Sequence, residues 1–102
     1  MEMALTGDTI TAERAHQHGL VNILCEPGEA INEAISLADR INSNAPLAVR
    51  ATRKAVLEGA MVDDDEGIRI AVELFTPVAK SEDAKEGPLA FVEKRSPEWK
   101  AR

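Results

Sequence analysis

One cysteine, no tyrosine and no long apolar run: this 102-residue chain is marked first by what it has little of. With Cys25 alone an internal disulfide is impossible, and a reduced, intracellular protein is expected. Its thiol follows the short apolar run VNIL and has no Cys or His nearby at metal spacing, so it reads as a buried, inert side chain. No stretch approaches the ~20 apolar residues of a membrane helix. Met1–Thr6 lacks the basic start and apolar run of a secretory leader, so the cytoplasm is the expected compartment, with no membrane partner. The only aromatics are Phe75, Phe91 and Trp99. A core of Ala, Ile, Leu and Val packs well between helices, but at this size it is thin, and an apolar face in want of a partner is expected. The six glycines are scattered, which leaves no glycine-rich turn for an oxyanion or a phosphate.

Basic residues are also scarce, 12 against 18 acids for a net charge of −6. That excludes a general nucleic-acid binder, because phosphate contacts require clustered Lys and Arg. The distribution is uneven: residues 1–46 hold seven acids and two bases, while residues 47–102 hold the other ten bases. Lys94, Arg95, Lys100 and Arg102 lie together at the end. Such a local basic end suits a small phosphorylated ligand better than a polymer. On charge alone, a solvated helix end is the simpler reading.

What is present is helical pattern. Met1–Leu5 reads as the tail of a helix, broken by a turn at Gly7-Asp8. Thr11 suits the N-cap of Ala12–His18, with Glu13 in the first turn and Gly19 closing the helix. Leu20–Leu24 is apolar and rich in branched residues and reads as a stub of strand. Pro27 fits a first helical turn, followed by one apolar face of Ile31, Ala34, Ile35, Ala38 and Ile41. Asn42–Pro46 ends that helix and starts another, with a face of small residues at Ala48, Ala51, Thr52, Ala55 and Val56. Asp63–Glu66 opens a further helix whose buried stripe is expected at Ile68, Ala71, Val72, Phe75 and Ala79, with Pro77 kinking it or ending it early. Ser81 caps the last helical stretch, which Pro88 is expected to split. The prediction is an all-α fold: one domain over 1–102, a small bundle of five or six helices with at most one short strand.

Three groupings of polar residues resemble chemistry without supporting it. Glu2, Glu13 and Glu33 sit among ordinary helical surface positions. The acids Asp63–Glu66 lack the alternating ligands and central glycine of a calcium loop and are better explained as caps for a helix dipole. His16 and His18 are two apart, whereas two histidines on one helix meet one metal when four apart. No catalytic residue and no metal ligand is assigned.

Two segments carry more. Leu5–Asn22 reads LTGDTITAERAHQHGLVN, and Ser81–Trp99 reads SEDAKEGPLAFVEKRSPEW, about sixty residues further on. Together, in this order and spacing, they resemble the carboxy-terminal part of the enoyl-CoA hydratase/isomerase (crotonase) family, and the resemblance runs over nearly all of the chain. It implies the helical, trimerisation part of that fold. The implied parent activity is hydration of 2,3-enoyl-CoA in fatty-acid oxidation, with the two catalytic glutamates and the oxyanion-hole backbone upstream of Met1. The isolated chain would then be inactive. Coenzyme A would enter as part of the acyl-CoA substrate, with no separate cofactor, and the intact enzyme would be a trimer or a dimer of trimers. By the same resemblance Phe75, Phe91 and Lys94 match the family's aromatic and lysine contacts to the adenosine end of CoA. Phe91 and Lys94, three apart on a helix, would share a face. Spacing by itself favours core phenylalanines and a lysine laid along apolar surface; the AFVEKR context reverses this for Lys94 and leaves the phenylalanines open between core and ligand contact, since a buried Phe can do both. Pro77 and Pro88 depart from the commoner family pattern. Enoyl-CoA isomerase, decarboxylase or hydrolase chemistry fits the same residues, and a stand-alone helical interaction module is the alternative from another class.

Overall fold

The computed structural model describes all of residues 1–102 and contains no strand. Six helices follow one another: α1 Glu2–Thr6, α2 Ala12–Gln17, α3 Ala30–Asn42, α4 Pro46–Gly59, α5 Asp64–Ala79 and α6 Asp83–Glu93. The all-α expectation holds. Two compact units divide the chain, Met1–Leu37 and Ala38–Arg102, with the boundary inside α3.

In the first unit each short helix is bounded by the residues suited to it. Gly7 closes α1 in the left-handed conformation at φ 75, its N–H donating to the Met3 carbonyl. The Thr11 hydroxyl accepts from the Arg14 N–H at 3.2 Å, as an N-cap should. The expected strand stub at Leu20–Leu24 is instead unpaired turn and coil. A strand needs a neighbour to take its backbone groups. Here no ladder forms, and the Val21 carbonyl is taken by the His16 ring, whose Nδ1–H donates at 2.9 Å. Cys25, expected to be buried, is exposed, because it lies in the loop leading to the Pro27-Gly28 turn. Pro27 itself stands before α3, which begins only at Ala30.

In the second unit α4 and α5 form a packed helical hairpin. Pro46 is at the first turn of α4, where its missing N–H costs nothing. Asp63 caps α5, its carboxylate accepting from the Glu66 N–H at 2.9 Å. The inner side of α4 carries Ala48, Ala51, Ala55 and Gly59, while Thr52 and Val56 are exposed. On α5 the expected stripe is displaced by a fraction of a turn. Gly67, Ile70, Ala71, Leu74 and Val78 are the covered residues, and Ile68, Val72, Phe75 and Ala79 face outward. Helix α5 is apolar on two sides, so periodicity alone does not say which side meets α4. Small residues let the two backbones approach: a Cβ built on Gly67 would lie 3.8 Å from the Gly59 Cα.

Neither proline ends its helix early. Pro77 is in the last turn of α5, so it forfeits one terminal hydrogen bond. Pro88 lies inside an unbroken α6. The residue before a proline is pushed out of the helical region by the clash of its Cβ with the ring. At Gly87 there is no Cβ, and α6 runs through.

Apolar surface is left over. The buried hydrophobic residues are three alanines, Ala15, Ala51 and Ala90, and no large side chain is fully buried. Ile31, Ile35, Ile68, Val72, Phe91 and Val92 are all more than half exposed. The accessible surface is 8396 Å². Two compact bodies of the sizes of the two units would together expose about 6,700 Å² by the usual mass scaling. The chain therefore exposes more surface than two closed bodies of these sizes would, and the large apolar side chains just named stand in it.

Candidate functional site

The carboxy-terminal segment folds back along α6 and is held there by carboxylates. Helix α6 closes in a Schellman arrangement: the Lys94 N–H reaches the Phe91 carbonyl at 3.3 Å and the Arg95 N–H reaches the Ala90 carbonyl at 3.1 Å. Lys94 takes the left-handed conformation that this requires, φ 55 and ψ 38. The chain then returns. Glu86 accepts from the Arg95 guanidinium at 2.5 and 3.0 Å and from the Glu98 N–H at 2.7 Å. One turn earlier Asp83, 4% exposed, accepts from the N–H groups of Lys100 at 2.7 Å and Ala101 at 3.0 Å. The Glu82 N–H donates to the Arg102 carbonyl at 2.7 Å. Ser81 caps the start as expected, its hydroxyl accepting from the Ala84 N–H at 3.2 Å.

These contacts explain the electrostatics. Hydrogen bonds from Arg95, then from the Glu98 N–H, hold the Glu86 carboxyl down at about 2. The same carboxylate, with Glu93, raises the Arg95 pKa above its ordinary value and keeps the guanidinium charged. Elsewhere, Arg69 bridges Glu66 and Glu73 on the exposed side of α5 and lowers the Glu66 carboxyl; an exposed pair of this kind adds little stability.

The basic end now resolves into distinct roles. Arg95 is paired with Glu86 and Glu93, and Lys100 and Arg102 both pair with Glu82. Of the four cations, only Lys94 makes no ion pair, and its side chain is exposed. Phe91 is 84% exposed and Phe75 38% exposed, so Phe91 is not core and Phe75 is only partly covered. The expected shared helical face of Phe91 and Lys94 does not exist in that form. Helix α6 stops at Glu93, and Lys94 belongs to the reversal that follows. No hydrogen bond or ion pair joins Phe75, Phe91 and Lys94; α5 and α6, which carry the two phenylalanines, are in contact.

Sequence reasoning missed the clasp itself. Glu86 and Arg95 are nine apart, a spacing with no helical meaning, and only the reversal at Lys94 brings them together. The available signal was Ser96-Pro97 directly after a charged pair, a chain-reversing sequence.

Comparison with known proteins agrees with this architecture. The family model described as enoyl-CoA hydratase/isomerase matches residues 1–102. An enoyl-CoA hydratase of Mycobacterium tuberculosis is 40% identical over 101 residues, spanning 99% of this chain and 38% of its own length. The carnitinyl-CoA dehydratase of Proteus mirabilis is also 40% identical, over 105 residues, again spanning 99% of this chain and 40% of its own. Among solved structures, an enoyl-CoA hydratase from Mycobacterium tuberculosis superposes with a TM-score of 0.95 at 48% identity, covering 100% of this chain and 40% of that one. One from Bacillus anthracis gives 0.93 at 35% identity, covering 99% and 39%. The chain thus spans about 40% of the length of the relatives it matches. It belongs to the enoyl-CoA hydratase/isomerase family.

Proposed function

We propose that this chain acts as the carboxy-terminal helical part of an enoyl-CoA hydratase-like enzyme, one that adds water across the 2,3 double bond of an enoyl-CoA in fatty-acid metabolism. The acid–base glutamates and the oxyanion donors come from outside these 102 residues. Such preorganised donors are worth several kcal/mol to an enolate-forming reaction, and no grouping of glycines or carboxylates here supplies them. Residues 1–102 contribute oligomer contacts through the uncovered faces of α3, α5 and α6, and a grip on the adenosine end of CoA. Lys94 meets the ribose phosphate, with Phe91 and Phe75 offering apolar surface to the adenine. The observation that carries the reading is the single unpaired cation at the basic end, in a chain matched along its whole length by acyl-CoA hydratases.

The equal identity to the Proteus carnitinyl-CoA dehydratase supports a second reading, the same chemistry in the direction of water loss from a hydroxyacyl-CoA. The test joins the chain to the part of the Mycobacterium tuberculosis hydratase that it does not cover. In the fused enzyme Lys94→Ala is expected to raise KM for crotonyl-CoA severalfold and leave kcat in place, because the phosphate is remote from the reacting carbons and is held equally in ground and transition states. A KM unchanged by Lys94→Ala would remove the lysine from the site.

A further inference from the structure

We propose that Arg95 is a positioning residue for Lys94, forcing the lysine into a left-handed backbone conformation so that its ammonium is presented to the phosphate while Arg95, Lys100 and Arg102 are held in ion pairs. This rests on the reading that Lys94 meets the ribose phosphate. Lys94 stands at φ 55 and ψ 38 at the end of α6. That position ordinarily falls to glycine, because a Cβ there crowds the following carbonyl. Backbone strain of this kind persists when its surroundings over-determine it, and it gathers where a side chain serves a ligand.

The surroundings here are specific. On the side following Lys94, the Arg95 fork reaches Glu86 with two nitrogens at 2.5 and 3.0 Å, Glu93 at 2.6 Å and the Ser96 carbonyl at 3.1 Å. Glu86 is also tied to the Glu98 N–H, so the chain cannot leave α6 without breaking charge-assisted bonds. On the preceding side Ala90, 1% exposed, anchors the last turn and accepts the Arg95 N–H. Of the residues between these anchors, Lys94 alone leaves the helical conformation and takes up the reversal. A lysine at position 95 would keep the charge but could not fork, since an ammonium is a point donor where guanidinium is planar.

The experiment uses the fused enzyme with two substrates, crotonyl-CoA and crotonyl-dephospho-CoA, which lacks the ribose phosphate. The parent is expected to favour the first by about tenfold in KM, the size of one exposed charge-assisted contact. Lys94→Ala should abolish that preference. Arg95→Lys and Glu86→Gln, which keep the lysine, should reduce it at least threefold with kcat unchanged. Lys94→Gly should abolish the preference and raise the melting temperature by a few degrees, as relief of strain requires. If Lys94→Ala removes the preference while Arg95→Lys and Glu86→Gln both retain it, the positioning role is wrong and the lysine reading survives. A Lys94→Gly variant that melts no higher than the parent would likewise overturn the strain. If Lys94→Ala leaves the preference intact, or the fused parent is inactive, the reading beneath the proposal fails.

Discussion

The Trp99 indole N–H donates to the Ser43 carbonyl at 2.9 Å, across 56 residues of sequence. That bond ties the returning tail to the end of α3, while the far edge of the ring lies over Gly87 of α6. Three parts of the second unit therefore meet at the one tryptophan of the chain. Trp99→Phe keeps the ring and removes the donor. Because Ser43 is exposed and water replaces the bond in part, a loss of about 1 kcal/mol is expected. Trp99→Ala also removes the packing and should cost clearly more. Urea unfolding followed by circular dichroism compares the two, and equal losses would show that the hydrogen bond is the whole of the effect.

Two glycines in helices should respond with opposite signs to alanine. At Gly67 the new Cβ would meet Gly59 at 3.8 Å, an ordinary contact, so the helix-propensity gain of about 0.5–1 kcal/mol should appear as added stability. At Gly87 the Cβ would sit 3.4 Å from the Trp99 Cη2 and directly before Pro88. There the gain is opposed by the clash of the new Cβ with the proline ring, and Gly87→Ala should lower the melting temperature. A rise at Gly87 would mean that α6 tolerates a Cβ before its proline.

These contrasts mark what the sequence could and could not disclose. Caps were legible because each needs one side chain at one spacing, as Thr11 and Asp63 show. Helix existence was legible from periodicity. Which apolar side of α5 faces α4 was not, since Ile68–Val72–Phe75 and Ile70–Ala71–Leu74 are equally good stripes, and the choice depends on how closely Gly59 and Gly67 approach. Pro88 misled because its effect depends on the glycine before it. At the candidate site the resemblance named Lys94. Nothing local could show that its neighbours Arg95, Lys100 and Arg102 each pair with an acid at Glu86 or Glu82 that only the chain reversal brings near.

Acid should release the tail. Glu86 has an ordinary carboxyl pKa of 4.5 when free and about 2 when folded, held down first by Arg95 and then by the Glu98 N–H. A depressed folded pKa adds stability above the unfolded value and loses it as pH falls through the folded one. The clasp should thus be intact above about pH 4.5 and weaken progressively toward about pH 2. Trp99 emission, followed against pH, reads this directly. Glu86→Gln should flatten that part of the curve, and a profile identical to the parent's would assign the acid transition to other carboxylates.

The uncovered apolar faces predict association of the isolated chain. At ~25 cal/mol per Å², even a few hundred Å² of buried patch is worth several kcal/mol before the costs of association. Light scattering across a concentration series should show the mean mass rising. Charge placed on the exposed stripe of α5, as in Val72→Lys, should reduce that rise without loss of helix content. A strictly monomeric mass at millimolar concentration, with cooperative unfolding, would mean that the core is complete as it stands.

The most direct measurement is crotonyl-CoA hydration by the 102-residue chain alone and by the chain fused to the uncovered part of the Mycobacterium tuberculosis hydratase. The expected result is turnover by the fused protein and none by the chain, however concentrated and pure. Hydration by the chain alone, in proportion to its own concentration, would contradict the placement of the reaction centre outside these residues.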